Sequence, residues 1–321
     1  MCDAYGTVLT VPWDDLPEWL PAWCLDHLGG EPADVLFHLR QVSEVVGLRL
    51  TDGTEVVVKA RADDGWAASC IAAQARLAER GFPCARPLTP VVVVVVGLGS
   101  LAVHAEEFRP GGEVLAGDSP EVAVRYAQVF ARLMAELAEV SVAPPLPNPP
   151  WVRWDHTDSG LWPAIDFLDE RDQSVVPAYV GDTAERARRR ILAAGLPCVL
   201  GYADFEAQNL RWHGREVWAV HDWDSLAWQP EAALAGAASG SFASSGPPML
   251  APIESSEAFL AAYQDLRGRR FTAQEQEIAW AASVWTAAYN AREEALRGGD
   301  TRVGRDTLRA QAAERLRRAH A

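Results

Sequence analysis

In the first third of the chain, the hydrophobic pattern changes between that of β-strands and that of an α-helix. The resulting order of strands and helix restricts the possible folds. Five β-rich runs are predicted, at residues 35–39, 45–50, 55–60, 91–96 and 101–108. Asp52-Gly53 predicts a hairpin turn between the second and third runs. An alanine-rich helix is predicted at residues 66–80 and ends at Gly81. Strands on both sides of one helix indicate a small sheet-based lobe that ends near residue 109.

Beyond this point the pattern is mainly helical. Ser119, Pro120 and Glu121 form an N-cap signature that begins a helix running to about residue 140. Further helices are predicted at residues 14–29, 182–195, 255–267, 273–297 and 305–319. A proline-rich linker is predicted at residues 144–150, and an alanine-, serine- and glycine-rich stretch at 235–248 is interpreted as a mobile loop or lid.

Charge and composition restrict the classes of partner. The net charge of -15, from 44 acidic and 29 basic side chains, argues against broad contact with nucleic acid or an anionic membrane. It is compatible with a cationic small substrate. The longest apolar stretch, residues 91–103, contains two glycines and is too short to span a bilayer. The acidic amino terminus lacks a signal segment and the 5 cysteines are scattered, which favours a cytoplasmic location.

Lys59 is the only lysine of the chain, and every other strongly basic side chain is arginine. It ends the β-branched run at residues 56–58. A lysine ammonium is a compact charge that can bind a phosphate, whereas a guanidinium is a wide planar fork. An arginine-rich composition could also leave one lysine by chance, so on this residue alone both interpretations remain open.

A short β segment at residues 202–224 interrupts the helical half and carries several polar side chains. Asp204 and Asn209 have the Asp-x-x-x-x-Asn spacing of a phosphotransferase catalytic loop, and Asp222 follows a predicted hairpin. In this chemistry an aspartate orients the acceptor hydroxyl and takes its proton, while an asparagine oxygen and a second carboxylate hold magnesium. The spacing alone is a weak signal. A strand lysine, a helix, this loop and a later aspartate, in that order, are a stronger one.

With these motifs the sequence resembles the aminoglycoside phosphotransferase and choline kinase group, which has the two-lobed protein kinase-like fold. The matching residues lie at 202–209, at 221–223 and at Lys59. The resemblance implies an α+β fold with a small antiparallel sheet lobe that binds nucleotide, residues 1–109. A larger, mainly helical lobe for catalysis and substrate binding would follow at residues 110–321.

The resemblance also implies a role for each matching residue. Asp204 would be the catalytic base, Asn209 and Asp222 the magnesium ligands, and Lys59 a phosphate ligand. ATP, or alternatively GTP, would be the phosphate donor, together with Mg2+.

The resemblance also implies the remaining nucleotide contacts. Ser43 would belong to a loop over the nucleotide at residues 41–47. Glu106 and Phe108 would lie at the hinge that receives the adenine.

Three features depart from the family pattern. Tyr202 and Ala203 replace a histidine and a glycine before Asp204, and Ala233 stands where the family often has an aspartate. The helix after Lys59 lacks the glutamate that usually pairs with this lysine. Gln74 is at a plausible register to position the ammonium through its amide oxygen.

The sequence therefore predicts an ATP- and Mg-dependent phosphotransferase acting on a hydroxyl of a small polar or cationic molecule, such as an aminoglycoside-like antibiotic or a metabolite. The protein would be a monomer or a homodimer. Asp224 would contact metal or substrate or be a solvated turn acid, and Glu206 would meet a cationic substrate or lie on the surface. The alternative is a nucleotide-binding pseudokinase that senses or scaffolds.

Overall fold

The computed structural model describes residues 16–40, 43–63, 65–142 and 148–321. Its amino-terminal third contains β1 (Pro32–Arg40), β2 (Glu44–Leu50), β3 (Glu55–Ala62), β4 (Val92–Val96) and β5 (Gly99–Glu107). They form one antiparallel sheet of 5 strands in the order β1-β2-β3-β5-β4. Helix α1 (Leu20–Leu28) precedes the sheet, and α2 (Ala67–Glu79) lies between β3 and β4 in the chain. All five predicted strands and the helix after Lys59 are confirmed.

The two faces of this sheet have different partners. Val46, Val58 and Ala105 face outward and form a core with Leu20 and Trp23 of α1. Because successive side chains of a strand point to opposite faces, the residues between them lie on the inner face. Lys59 is one of these, and the strand register places it opposite His104 of β5. The predicted phosphate ligand therefore faces away from α1.

Helix α2 packs with the larger lobe. Its buried residues Cys70, Ala73 and Leu77 belong to the same hydrophobic core as the helices that follow residue 119. The amino-terminal sheet and the helical lobe are therefore joined through the elements that border Lys59.

The larger lobe is mainly helical. Its helices are α3 (Pro120–Leu137), α4 (Asp166–Asp169), α5 (Ala178–Ala194), α6 (Glu231–Ser241), α7 (Ile253–Leu266), α8 (Ala273–Arg297) and α9 (Val303–Arg318). Two small antiparallel pairs join β6 (Cys198–Tyr202) to β9 (Leu226–Pro230) and β7 (Leu210–His213) to β8 (Glu216–Val220). No helix in the described ranges is long and apolar enough to cross a bilayer.

The interpretation of residues 235–248 as a mobile loop or lid is wrong for the first half of this segment. Residues up to Ser241 belong to α6, whose surface is buried nearly all round, and only the residues after it are irregular. Gly236 explains the burial, because a Cβ on it would lie 2.0 Å from the carbonyl oxygen of Ala279 in α8. Small side chains allow this close approach of two helices, but they produce no amphipathic pattern in the sequence.

Three predicted features lie partly outside the described residues. They are the start of the first helix at residues 14–15, the beginning of the nucleotide loop at residues 41–42, and residues 144–147 of the proline-rich linker.

Candidate active site

The loop after β6 holds Asp204 in a defined orientation. A 3-10 turn (Ala207–Asn209) leads from this loop into β7. The side-chain amide nitrogen of Asn209 donates to the Asp204 carboxylate at 2.8 Å and to the Asp204 carbonyl oxygen at 2.9 Å. The amide oxygen is therefore the Asn209 atom that suits a metal ion, because the nitrogen is used by Asp204.

Tyr202 replaces the loop histidine and is completely buried. Its ring packs edge-on against Phe205 and Trp223. Its hydroxyl donates a hydrogen bond of 2.6 Å to the carbonyl oxygen of His221. A tyrosine at this position therefore packs in the core and supports the loop through its hydroxyl group.

Asp222 lies beside Asp204 although 18 residues separate them in the sequence. The backbone amide of His221 donates to the carbonyl oxygen of Asn209 at 2.8 Å, which joins the two segments. Asp222 itself has a left-handed backbone with φ of 62°, a conformation that aspartate adopts more readily than most residues. Its carboxyl group is close enough to that of Asp204 for each to affect the pKa of the other.

The acidic side chains of this cluster have shifted pKa values. Burial raises the pKa of Asp204 to about 6. Burial and the neighbouring charge of Asp224 raise the pKa of Asp222 well above its ordinary value, and the Lys59 ammonium acts in the opposite direction. Crowded carboxylates of this kind bind a proton or a cation more strongly than isolated ones. The donor set Asn209 and Asp222 fits a hard divalent cation that takes its other ligands from phosphate and water.

Within the described residues, no group of three or more His, Cys, Asp or Glu side chains has the arrangement of a self-contained metal site. A magnesium ion bound with a nucleotide needs no such group, since it commonly uses one or two carboxylates together with phosphate oxygens.

Lys59 forms a buried ion pair, and its partner lies on the neighbouring strand. Its ammonium lies 2.8 Å from the carboxylate of Glu106 in β5, a side chain that is only 2% exposed. The amide nitrogen of Gln74 in α2 donates to the other Glu106 oxygen at 2.9 Å. Sequence reasoning assigned Glu106 to the adenine hinge and missed this pairing. The register of the two strands explains the pairing. Glu106 lies opposite Val57, two residues before Lys59, so both side chains are on the same face.

Gln74 also differs from its expected role. The amide nitrogen, not the oxygen, faces the charged group, and this group is the Glu106 carboxylate. The same nitrogen donates to the carbonyl oxygen of Ala85 at 2.7 Å. Gln74 therefore holds Glu106, and Glu106 in turn pairs with Lys59.

Asp224 is joined to the sheet lobe. Its carboxylate receives a hydrogen bond of 2.6 Å from Arg61 of β3, whose guanidinium lies 4.5 Å from the ring centroid of Trp66. The Trp66 ring nitrogen donates to the Asp224 carbonyl oxygen at 3.3 Å. Burial raises the pKa of Asp224, but its hydrogen bond with Asp222 and the charge of Arg61 bring the net pKa below the ordinary value. This arrangement differs from a solvated turn acid.

Ser43 and Phe108 lie beside strands of the amino-terminal sheet. Ser43 immediately precedes β2 and is partly buried. The ring of Phe108 lies 5.9 Å from that of Phe37 in β1, centroid to centroid. A Cβ on Gly47 would lie 2.1 Å from the Phe37 ring, so the absence of a side chain there allows Phe37 to cover the inner face.

Glu206 lies inside the loop and is 8% exposed, which excludes the interpretation as a surface acid. It receives a hydrogen bond of 2.7 Å from the side chain of Gln208. Burial, followed by the charge of Asp204, raises the pKa of Glu206 well above its ordinary value, and Glu293 of α8 adds to the effect. A buried acid of this kind is suited to receive a cationic group.

Comparison with solved structures identifies the architecture. The amicoumacin kinase hAmiN in complex with AMP-PNP, Ca2+ and Ami matches with a TM-score of 0.64 at 11% identity, over 90% of this chain and 89% of that one. Spectinomycin phosphotransferase APH(9)-Ia in complex with ADP and spectinomycin matches with a TM-score of 0.54 at 10% identity, over 96% and 98%.

A thermostable mutant of aminoglycoside phosphotransferase APH(4)-Ia, in a ternary complex with ADP and hygromycin B, also matches. Its TM-score is 0.54 at 13% identity, over 94% of this chain and 99% of that one. No family model and no curated protein sequence matches the chain. At these identities the likeness concerns the fold, and the predicted two-lobed kinase-like α+β fold is confirmed.

Proposed function

We propose that this protein is an ATP-dependent phosphotransferase that acts on a hydroxyl group of a small molecule. The observation that carries the proposal is the convergence of Asp204, Asn209 and Asp222. Asn209 donates to the Asp204 carboxylate, and its carbonyl oxygen binds the backbone amide of His221, the residue before Asp222. The charge of Lys59 from the opposite lobe acts on the same cluster. Phosphoryl transfer needs little covalent chemistry from a protein, so positioned charges of this kind account for most of the catalysis.

Each residue has a role that follows from its atoms. Asn209 and Asp222 would hold magnesium, which neutralises the nucleotide phosphates when bound. Lys59 would contact the phosphates as a point charge. Asp204, oriented by the Asn209 amide, would align the acceptor hydroxyl and accept its proton.

The buried Glu206 and the nearby Glu293 favour a cationic acceptor. A positively charged group brought close to Glu206 would stabilise its ionised form, which burial disfavours. Amino sugars and amino alcohols have this chemistry and also carry the required hydroxyl group. The proposed site lies within one chain, so it is compatible with a monomer or a homodimer.

A panel of hydroxylated amines and neutral polyols, screened by ADP release with Mg-ATP, tests the proposal. The expected result is turnover with at least one member, lost in Asp204→Asn by a factor of about 10²–10⁴. Lys59→Arg should also be strongly impaired, because the planar guanidinium does not fit the place of an ammonium.

Two outcomes would contradict the proposal. If Asp204→Asn turns over ATP as the wild type does, Asp204 is not the base. If the chain binds ATP, as judged by a thermal shift that requires Mg2+, but shows no turnover across the panel, the pseudokinase alternative is favoured.

A further inference from the structure

We propose that Glu106, carried by strand β5, positions the Lys59 ammonium for phosphate binding, and that Gln74 holds Glu106 in place. The inference rests on the proposed function and identifies a positioning residue for it. The only carboxylate on α2, Glu79, is exposed and pairs with Arg76. A carboxylate on the same sheet as the lysine takes the place of a helix-borne one.

The strand register makes this pairing possible. Val57 lies opposite Glu106, and Lys59 lies opposite His104, in the antiparallel pair of β3 and β5. Opposite residues share a face, and Lys59 shares the face of Val57 because it lies two positions further along. Lys59 and Glu106 are therefore diagonal neighbours on the inner face, within reach of long side chains. Their 2.8 Å contact joins two adjacent strands of one sheet.

The electrostatics show that this carboxylate is ionised. Burial raises the pKa of Glu106, but Lys59, His104 and the Gln74 hydrogen bond oppose this effect, and the net pKa lies below the ordinary value. The pKa of His104 is itself lowered to about 4, mainly by burial, so its ring is neutral at pH 7. The charge interaction at this point is therefore between Lys59 and Glu106.

Glu106 competes with other acids for the lysine. The charge of Lys59 also acts on Asp222 and Asp224 in the helical lobe. Without Glu106, the flexible lysine side chain would be drawn towards these carboxylates, where a metal ion is expected. A carboxylate on the opposite side keeps the ammonium on the sheet lobe, where it can meet the phosphates.

Gln74 determines where the Glu106 carboxylate can lie. Its amide nitrogen donates both to Glu106 and to the carbonyl oxygen of Ala85. Both partners are acceptors, which fixes the orientation of the amide. The segment around Ala85 is attached to β5, since Arg86 accepts a backbone hydrogen bond from Glu107. The Gln74 side chain therefore connects α2 both to Glu106 and to the segment attached to β5, the strand that carries Glu106.

A purely structural role of Glu106 and a positioning role predict different effects on the affinity for nucleotide. Replacing one partner of a buried ion pair generally lowers stability, whatever the function of the pair. If Glu106 only stabilised the sheet, its loss would lower the melting temperature but leave the affinity for nucleotide unchanged. Positioning predicts that the affinity falls.

The first measurement is the binding of Mg-ATP by calorimetry, which needs no acceptor. Glu106→Gln is expected to raise the dissociation constant by about tenfold or more, since it removes the buried carboxylate charge that lies 2.8 Å from the ammonium. The matched control is Glu55→Gln on β3, whose carboxylate pairs with Arg49 at the exposed surface. This control should bind within about twofold of wild type.

A second variant tests whether the charge itself is required. In Gln74→Glu combined with Glu106→Gln, a carboxylate is provided from α2, and an amide from β5 can donate to it. This double variant should recover most of the affinity lost in the single variant. Because a glutamate at position 74 cannot donate to the Ala85 carbonyl oxygen as Gln74 does, Gln74→Glu alone is the control. A double variant that folds as this control does but binds as weakly as Glu106→Gln would overturn the claim that the carboxylate charge is what Lys59 requires.

The third measurement uses the fact that Lys59 is the only lysine in the chain. Selective nitrogen-15 labelling of lysine gives a single side-chain ammonium signal in the NMR spectrum, without any ligand. Glu106→Gln should shift or broaden this signal, while Glu55→Gln should leave it in place. An unchanged signal in Glu106→Gln would overturn the inference.

These readouts separate the two proposals. If the wild type does not bind Mg-ATP, the proposed function fails, while the lysine signal still tests the position of the ammonium. If the wild type binds and Glu106→Gln binds equally well, the phosphotransferase proposal stands and the role of Glu106 is refuted. If Glu106→Gln does not fold, Glu106→Asp, which keeps the charge but shortens its reach, undergoes the same measurements and is expected to show smaller losses in the same direction, because the carboxylate holds the ammonium less closely. Wild-type values for Glu106→Asp would overturn the inference.

Discussion

Arg61 on strand β3 and Asp224 in the helical lobe form an ion pair of 2.6 Å between the two lobes, across 163 residues of sequence. Trp66 completes the contact, since its ring lies under the guanidinium and its nitrogen donates to the Asp224 backbone. This arrangement joins the lobes next to the candidate active site. It also places a second cation of β3, two residues after Lys59, beside the acidic cluster.

Arg61→Ala should lower the free energy of unfolding by about 1–3 kcal/mol, between the values typical of exposed and buried ion pairs. Both side chains of this pair are mostly buried. Arg49→Ala is the control, because Arg49 pairs with Asp34 and Glu55 at the exposed surface and should contribute less than about 1 kcal/mol. Chemical denaturation measures both changes. If both variants lose the same free energy of unfolding, the Arg61–Asp224 pair contributes no more to stability than an exposed ion pair.

Asp204→Asn should make the metal-free protein more stable at pH 7, although it removes the proposed base. The pKa of Asp204 is about 6 in the folded state, against an ordinary value of 3.8. A raised carboxyl pKa means that the folded state binds the proton more tightly. This contribution to stability is fully present below pH 3.8 and is lost as the pH rises through about 6.

The gain in Asp204→Asn at pH 7 is expected to be on the order of 1–3 kcal/mol and to shrink towards pH 4. Melting curves of both proteins from pH 4 to pH 7 measure it. The surface variant Asp265→Asn, at an exposed pair with Arg270, should show no such trend. If the wild type is more stable than Asp204→Asn at pH 7, the ionised Asp204 carboxylate does not destabilise the folded protein, and the prediction is wrong.

Gly236→Ala should destabilise the fold strongly, by about 1–3 kcal/mol or more. The added methyl group would lie 2.0 Å from the carbonyl oxygen of Ala279, so α6 and α8 would have to move apart. Gly246→Ala is the control, because no atom lies within 4 Å of a Cβ at that position. Thermal unfolding compares the two. If both variants melt like the wild type, α6 does not pack against α8 as described.

Glu206→Gln should weaken the binding of cationic acceptors by about tenfold and leave the binding of neutral polyols and Mg-ATP unchanged. Only the cationic compounds interact with the Glu206 charge. Since the pKa of Glu206 is raised well above its ordinary value, binding of a cation should also release a proton. Calorimetry in buffers of different ionisation enthalpy measures this proton. An equal loss for charged and neutral acceptors would indicate that Glu206 only supports the loop.

Local patterns predicted most of the elements of this fold. The strands of the amino-terminal sheet were predicted from β-branched runs and turn residues, and the cap at Ser119 marked the beginning of α3. Such signals depend on residues close together in the sequence. The spacing of Asp204 and Asn209 belongs to the same class, because a 3-10 turn brings two residues five positions apart into contact.

Contacts between distant elements were not predicted from such patterns. Helix α6 was interpreted as a loop because its alanine, glycine and serine residues show no amphipathic stripe, and its stability comes from close contact with α8. The partner of Lys59 was sought on α2, because a pattern along the chain does not show which strand lies beside β3. The register of β3 and β5 decides that it is Glu106.

The amino-acid sequence by itself determined the order of the amino-terminal strands and of most helices, and the loop residues Asp204 and Asn209, because local periodicity, turn chemistry and spacing act over a few residues. Only the tertiary structure decided that Glu106 neutralises Lys59 and that Arg61 joins Asp224. The first pair depends on which strands lie side by side in the sheet, and the second on which side chains of the two lobes meet. In both pairs the attraction between opposite charges grows as the distance between them falls.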